Sequence, residues 1–95
     1  MTDDMRRYLR AVAIAAETLP PYPGGAEWQD LLFKAAVGLG MRTNRQSFAA
    51  IYLAFLGRDS GPRAGWLLAS LDKDFVVRRL LEAADATPAT NGAPA

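Results

Sequence analysis

Apolar side chains recur along this chain at helical periods, and glycine or proline breaks the pattern between runs. Phe48, Ile51, Tyr52, Phe55 and Leu56 fall at i, i+3, i+4, i+7 and i+8, the repeat of a helix with one buried face. Met5, Leu9, Val12, Ala13 and Ala16 mark a similar stripe on a helix expected over Asp3–Thr18, whose opening acids suit the positive end of its dipole. Trp28, Leu31, Leu32, Ala35 and Leu39 do the same for Ala26–Gly38 and turn Trp28 inward, as core rather than as a stacking surface. Two shorter helices are predicted over Pro62–Ser70 and Lys73–Ala84, the second with Val77, Leu80, Leu81 and Ala84 at helical spacing. Phe48, Tyr52, Phe55, Leu67, Leu71 and Leu80 are the expected core. Truncation of Phe55 to alanine is accordingly expected to cost about 3–5 kcal/mol.

The breaks are as informative as the runs. Leu19-Pro20-Pro21-Tyr22-Pro23-Gly24-Gly25 cannot continue a helix and reads as a stiff connector, or as a hinge. Gly38 and Gly40 end the second element, and Thr43 with Gln46 offers a capping box for the third. Gly57 tolerates the left-handed conformation that commonly closes a helix. Pro62 suits a first helical position, because the N–H it lacks would have no partner there. Asp72 is placed to cap the last helix. Beyond Asp85 the chain has small residues, two prolines and no large apolar group. The expected fold is therefore all-α: a compact bundle of about five short helices over residues 1–85, with a disordered tail over 86–95.

Charge changes this picture by its distribution. The net charge is only +1. Residues 1–40 carry four basic and five acidic side chains, and residues 81–95 carry two acids. Residues 41–80 hold seven basic and three acidic ones, so the middle of the chain is the part that attracts a polyanion. The alternative is that Arg42, Arg45, Arg58, Arg63, Lys73, Arg78 and Arg79 simply solvate helix faces.

Composition narrows the chemistry. There is no cysteine and no histidine, which removes thiolate chemistry, the commonest general base and the commonest metal ligand. The carboxylates sit at helix starts or on solvent faces, so no nucleophile–base pair emerges and no catalytic or metal-binding residue is assigned in this chain. No cofactor is expected. Neither a bilayer-spanning run nor a signal peptide is present, and a cytoplasmic setting is expected.

The segment Phe48–Leu71 carries a resemblance. Tyr52, Leu56, Gly57, Gly61, Pro62, Arg63, Gly65 and Leu67 form Y-x-x-x-L-G-x-x-x-G-P-R-x-G-x-L, which resembles the C-terminal, anticodon-binding region of class I lysyl-tRNA synthetases. Glutamyl-tRNA synthetases end on a related pattern, and Arg63 favours the lysyl enzyme. The resemblance covers about Phe48 to Leu81. It implies an all-α module that contacts the anticodon of tRNA-Lys beside a catalytic domain of the parent synthetase, which handles ATP, lysine and aminoacyl transfer. The nucleotide-binding signatures of such a catalytic domain are absent here, so the chain is expected to be a fragment of that ligase or a free-standing relative of its tail.

Single-stranded RNA loops are read by bases stacking on aromatic or guanidinium planes, with basic side chains on the backbone. Arg58, Arg63 and Trp66 bring those types to one corner, and Arg42, Arg45 and Lys73 are the further nucleic-acid-binding candidates. The N–H groups opening the fourth helix are expected to offer an anion seat. Arg63 pairing with Asp59 is the structural alternative for that side chain. The alternative for the whole chain is a helical adaptor that binds protein and not RNA.

Overall fold

A computed structural model describes residues 2–41, 45–58 and 60–85, the side chains of Arg45 and Gln46 excepted. The Thr43 capping box, the side chains of Arg42 and Arg45, Asp59 and the tail over 86–95 lie outside the described residues. Thr2 accepts the Met5 N–H at 3.1 Å and opens α1 (Asp3–Ala16). Gly24 precedes α2 (Gly25–Gly38), where the Glu27 carboxylate accepts the Gly24 N–H at 2.8 Å. α2 closes through Gly40, at φ 72°, with the Met41 N–H donated to the Ala36 carbonyl. α3 spans Arg45–Leu56 and stops at Gly57, also at φ 72°, as its position past the last apolar residue predicts. α4 (Ala64–Ala69) and α5 (Lys73–Asp85) follow, and the Asp72 carboxylate accepts the Phe75 N–H at the start of α5. The fold is an all-α bundle of five helices, with no strand among the described residues.

Two pairings organise the bundle: α1 lies along α5, and α2 lies along α4. α1 also packs on α2 and α3, so its face joins the pairs. Tyr8, Leu9, Val12, Ala13 and Ala16 of α1 meet Trp28, Leu31, Leu32 and Ala36 of α2, with Ile51, Leu68, Val76 and Leu80 completing the centre. The connector is no hinge. Lys73 reaches across and donates to the Leu19 carbonyl at 2.8 Å, and Pro23 is buried, so α1 belongs to the same body as the rest.

The burial differs from the sequence expectation in one consistent way. Leu80 is fully buried, but Phe48, Tyr52, Phe55 and Leu71 only flank the core, and Leu67 is half-buried outside it. The centre of α3 belongs to Ala50, Ile51 and Ala54. Small residues let helix backbones approach, so the aromatic side chains lap around the contact instead of filling it. α5 is likewise turned, burying Val76 and Ala83 where Val77 and Leu81 were expected.

Tyr8 is the buried titratable group. Its hydroxyl donates to the Leu32 carbonyl at 3.3 Å, and burial pushes its phenol well above the ordinary value of 10.0. The folded chain therefore holds this proton at pH values where the unfolded chain releases it, and stability falls as the pH rises above about 10. In an ultraviolet titration, one of the three tyrosines should ionise only together with loss of the helical circular dichroism signal. Ionisation of all three ahead of unfolding would contradict the burial.

Candidate nucleic-acid interface

The loop between α3 and α4 is closed by its own sequence. Gly57 reverses the chain after α3, and the Tyr52 hydroxyl then donates to the Pro62 carbonyl at 2.5 Å. A Cβ on Gly61 would lie 2.7 Å from Leu56 Cδ1 and 3.2 Å from Tyr52 Cδ1. The loop's far end thus sits directly on the last turns of α3, and a larger residue at position 61 would have to displace the Leu56 side chain. Tyr52, Leu56, Gly57, Gly61 and Pro62 are the motif residues that make this closure.

One expectation about the loop is corrected. α4 begins at Ala64, with Arg63 at the N-cap, and not at Pro62. The Pro62 carbonyl is taken by the tyrosine, and the Arg63 carbonyl is the first to accept a helical N–H, from Leu67 at 2.9 Å.

The second half of the motif docks α4 on α2. A Cβ on Gly65 would fall 2.6 Å from the Gly25 carbonyl oxygen and 2.7 Å from the Gln29 nitrogen. The Gly65 N–H is donated to Gln29 Oε1 at 2.8 Å. This contact takes one N–H away from the expected anion seat: α4 has six residues, and a side chain of α2 already holds one of its opening N–H groups. Gln29 was not recognisable as a site residue in the sequence, because its partner lies on another helix.

What the corner presents outward is a stacked pair. The Arg63 guanidinium carbon lies 4.5 Å from the Trp66 ring centroid, and Trp66 remains 46 % exposed. Such a pair is worth about 0.5–1 kcal/mol at an exposed site and holds a flexible cation against a rigid plane. Arg63 itself makes no side-chain cap bond to α4. Arg58 follows Gly57 on the same loop and is exposed. Lys73 is placed elsewhere, against the connector through its bond to Leu19. Arg79 donates to the Ala54 carbonyl at 2.7 Å and ties α5 to α3. Lys73 and Arg79 thus act as ties within the bundle, Arg78 is exposed on α5, and Arg58 and Arg63 are the basic residues on the corner loop.

The chain is similar to the lysine–tRNA ligase of Methanosphaera stadtmanae, 33% identical over 79 residues that cover 83% of this chain and 15% of that protein. It is 34% identical to the lysine–tRNA ligase of Pyrococcus horikoshii over 80 residues, 84% of this chain and 15% of the relative. These matches are consistent with the C-terminal domain of a lysyl-tRNA synthetase. A 47-residue stretch is 49% identical to the ligase of Methanosarcina barkeri, covering 50% of this chain and 9% of that one. A match of 79 residues in a chain of 95 takes in α2, so the two long similarities extend beyond the motif-bearing half from Phe48 onward. The chain spans about 15% of the length of the first two relatives. No family model and no solved structure matches it. Among the described residues no helix is long and apolar enough to cross a membrane.

Proposed function

We propose that this chain is a tRNA-binding module of the lysine–tRNA ligase kind, which holds the anticodon loop at the corner between α3 and α4. Arg63 and Trp66 supply a stacking surface for an unpaired base, and Arg58 supplies charge for the adjoining phosphates. The observation that carries this reading is the exposed Arg63–Trp66 stack on a loop fixed by packing at both ends. Kinship with lysine–tRNA ligases supports RNA as the partner, tRNA-Lys as the RNA, and the catalytic remainder of a ligase as the neighbour. Lysine activation and transfer belong to that remainder. The module works in the cytoplasm, where tRNA is aminoacylated.

The test is a titration of the chain with a lysine-tRNA anticodon stem-loop and with a fully paired duplex of equal length, at 50 and 200 mM salt. Tighter binding of the stem-loop, weakening at the higher salt as phosphate contacts release counterions, is expected. Equal binding of loop and duplex would reduce the interaction to charge alone and contradict the reading.

A protein-binding role is favoured by a different observation. Phe33 and Val37, one helical turn apart on α2, are 51 % and 56 % exposed. If that strip is the functional surface, Phe33→Ser with Val37→Ser changes the chain's association state while stem-loop binding stays intact.

A further inference from the structure

Trp66 lies on a glycine that belongs to another helix. A Cβ built on Gly25 falls 2.3 Å from Trp66 Cδ2, 2.4 Å from Cε2 and 2.6 Å from Cγ. No real carbon contact is that short. Near-equal distances to three atoms of the five-membered ring put this position over the face of the indole and not beyond its edge. The backbone of Gly25 is thus the seat of the ring, at the first residue of α2.

The same turn of α2 fixes the root of the side chain. The Gly25 carbonyl abuts Gly65, the residue before Trp66, and Gln29 holds the Gly65 N–H. Ring and backbone are therefore both registered against α2. Arg63 in turn is placed by the ring, 4.5 Å from its centroid.

We infer that Gly25 is a positioning residue for the proposed RNA site: it sets the height of the Trp66 indole, and through it the Arg63 guanidinium, so that the two form one surface for stacking an unpaired nucleobase. The inference rests on the RNA reading above and names what that site takes. A plane flanked by a cation engages the face of a base, whichever base it is, so the pair distinguishes a loop with exposed bases from one without them and does not read base identity. A methyl group at position 25 would lift the indole and carry Arg63 with it, although Gly25 offers no side chain to the RNA.

The experiment is a double-mutant cycle in the 95-residue chain with Gly25→Ala, Trp66→Ala and the combination. Gly38→Ala is the control, because a Cβ there meets nothing within 4 Å on the same helix. The probes are the lysine anticodon stem-loop and the same stem closed by an abasic loop. Acrylamide quenching reports Trp66 separately, since Trp28 is fully buried. Gly25→Ala should weaken binding of the intact loop by about fivefold or more, leave abasic-loop binding unchanged and alter the quenching, as befits a lost base stack. Gly38→Ala should do none of these. In the Trp66→Ala background, Gly25→Ala should add no further loss.

A wild-type preference for the intact loop that survives Gly25→Ala overturns the role of Gly25 alone. So does a further loss in the Trp66→Ala background. Equal wild-type binding of intact and abasic loops overturns the stacking reading and this inference together. If Gly25→Ala unfolds the chain, the combined variant must refold, because the ring that the methyl meets is gone; failure to refold contradicts the inference.

Discussion

Trp28→Ala is expected to lower the unfolding free energy by about 3–5 kcal/mol, a large part of what a small domain possesses. Trp28 is completely buried at the junction of the two helix pairs, within the cluster that joins α1, α2 and α4. Truncation leaves a cavity that helices on several sides cannot all close. Its indole N–H finds no acceptor among the described residues, so the side chain stabilises through shape and area alone. Phe55→Ala is the instructive comparison. Phe55 flanks the core and meets Phe75 edge-on, with ring centroids 6.3 Å apart, so its loss should cost only about 1–2 kcal/mol. Urea unfolding of both variants checks the ranking. A Phe55→Ala midpoint as low as that of Trp28→Ala would contradict the flanking position of the α3 aromatics.

Gly65→Ala is expected to destabilise by about 1–3 kcal/mol or more, although alanine is the better helix former. The added methyl would meet backbone atoms of α2 at 2.6 and 2.7 Å, and backbone cannot swing aside as a side chain does. α4 would separate from α2 and lose the Gly65–Gln29 hydrogen bond. Gly38→Ala makes the same substitution in open space, where helix propensity should leave stability unchanged or slightly raised. Thermal melts of the pair separate close packing from propensity. Equal melting temperatures would mean that α4 is free to shift on α2.

Helix ends were legible in the sequence because capping is local. Gly40, Gly57 and Asp72 each act within one turn of their own position, and each does what its residue type predicts. The direction of burial was less legible. In α3, apolar side chains point nearly all round, from Phe48 through Ile51, Tyr52, Leu53 and Phe55 to Leu56, so period alone cannot select a face. The choice falls to Ala50 and Ala54, whose small size lets a neighbour approach, and size complementarity between helices is written in no single helix. The site divides in the same way. Arg63 and Trp66 are three residues apart near a helix start, and their stack follows from that spacing. Gly25 and Gln29 act on Trp66 and Gly65 from a distant part of the chain, and nothing local marks them. Lys73 shows the converse: a cation that composition counts toward a polyanion site is drawn to the Leu19 carbonyl by the turn it has to hold.

Arg63 carries the central claim, because it shapes the corner without belonging to the core. The most direct measurement is the affinity of the wild type and of Arg63→Ala for the lysine anticodon stem-loop and for one with a scrambled loop, at matched salt, with circular dichroism as the folding control. An unchanged helical spectrum and melting temperature are expected, with the wild type binding the lysine loop more tightly than the scrambled one and Arg63→Ala losing about tenfold in affinity for it, as fits the loss of a charge and a stacking partner. Wild-type affinity retained by Arg63→Ala would contradict it and return the corner to a purely structural role.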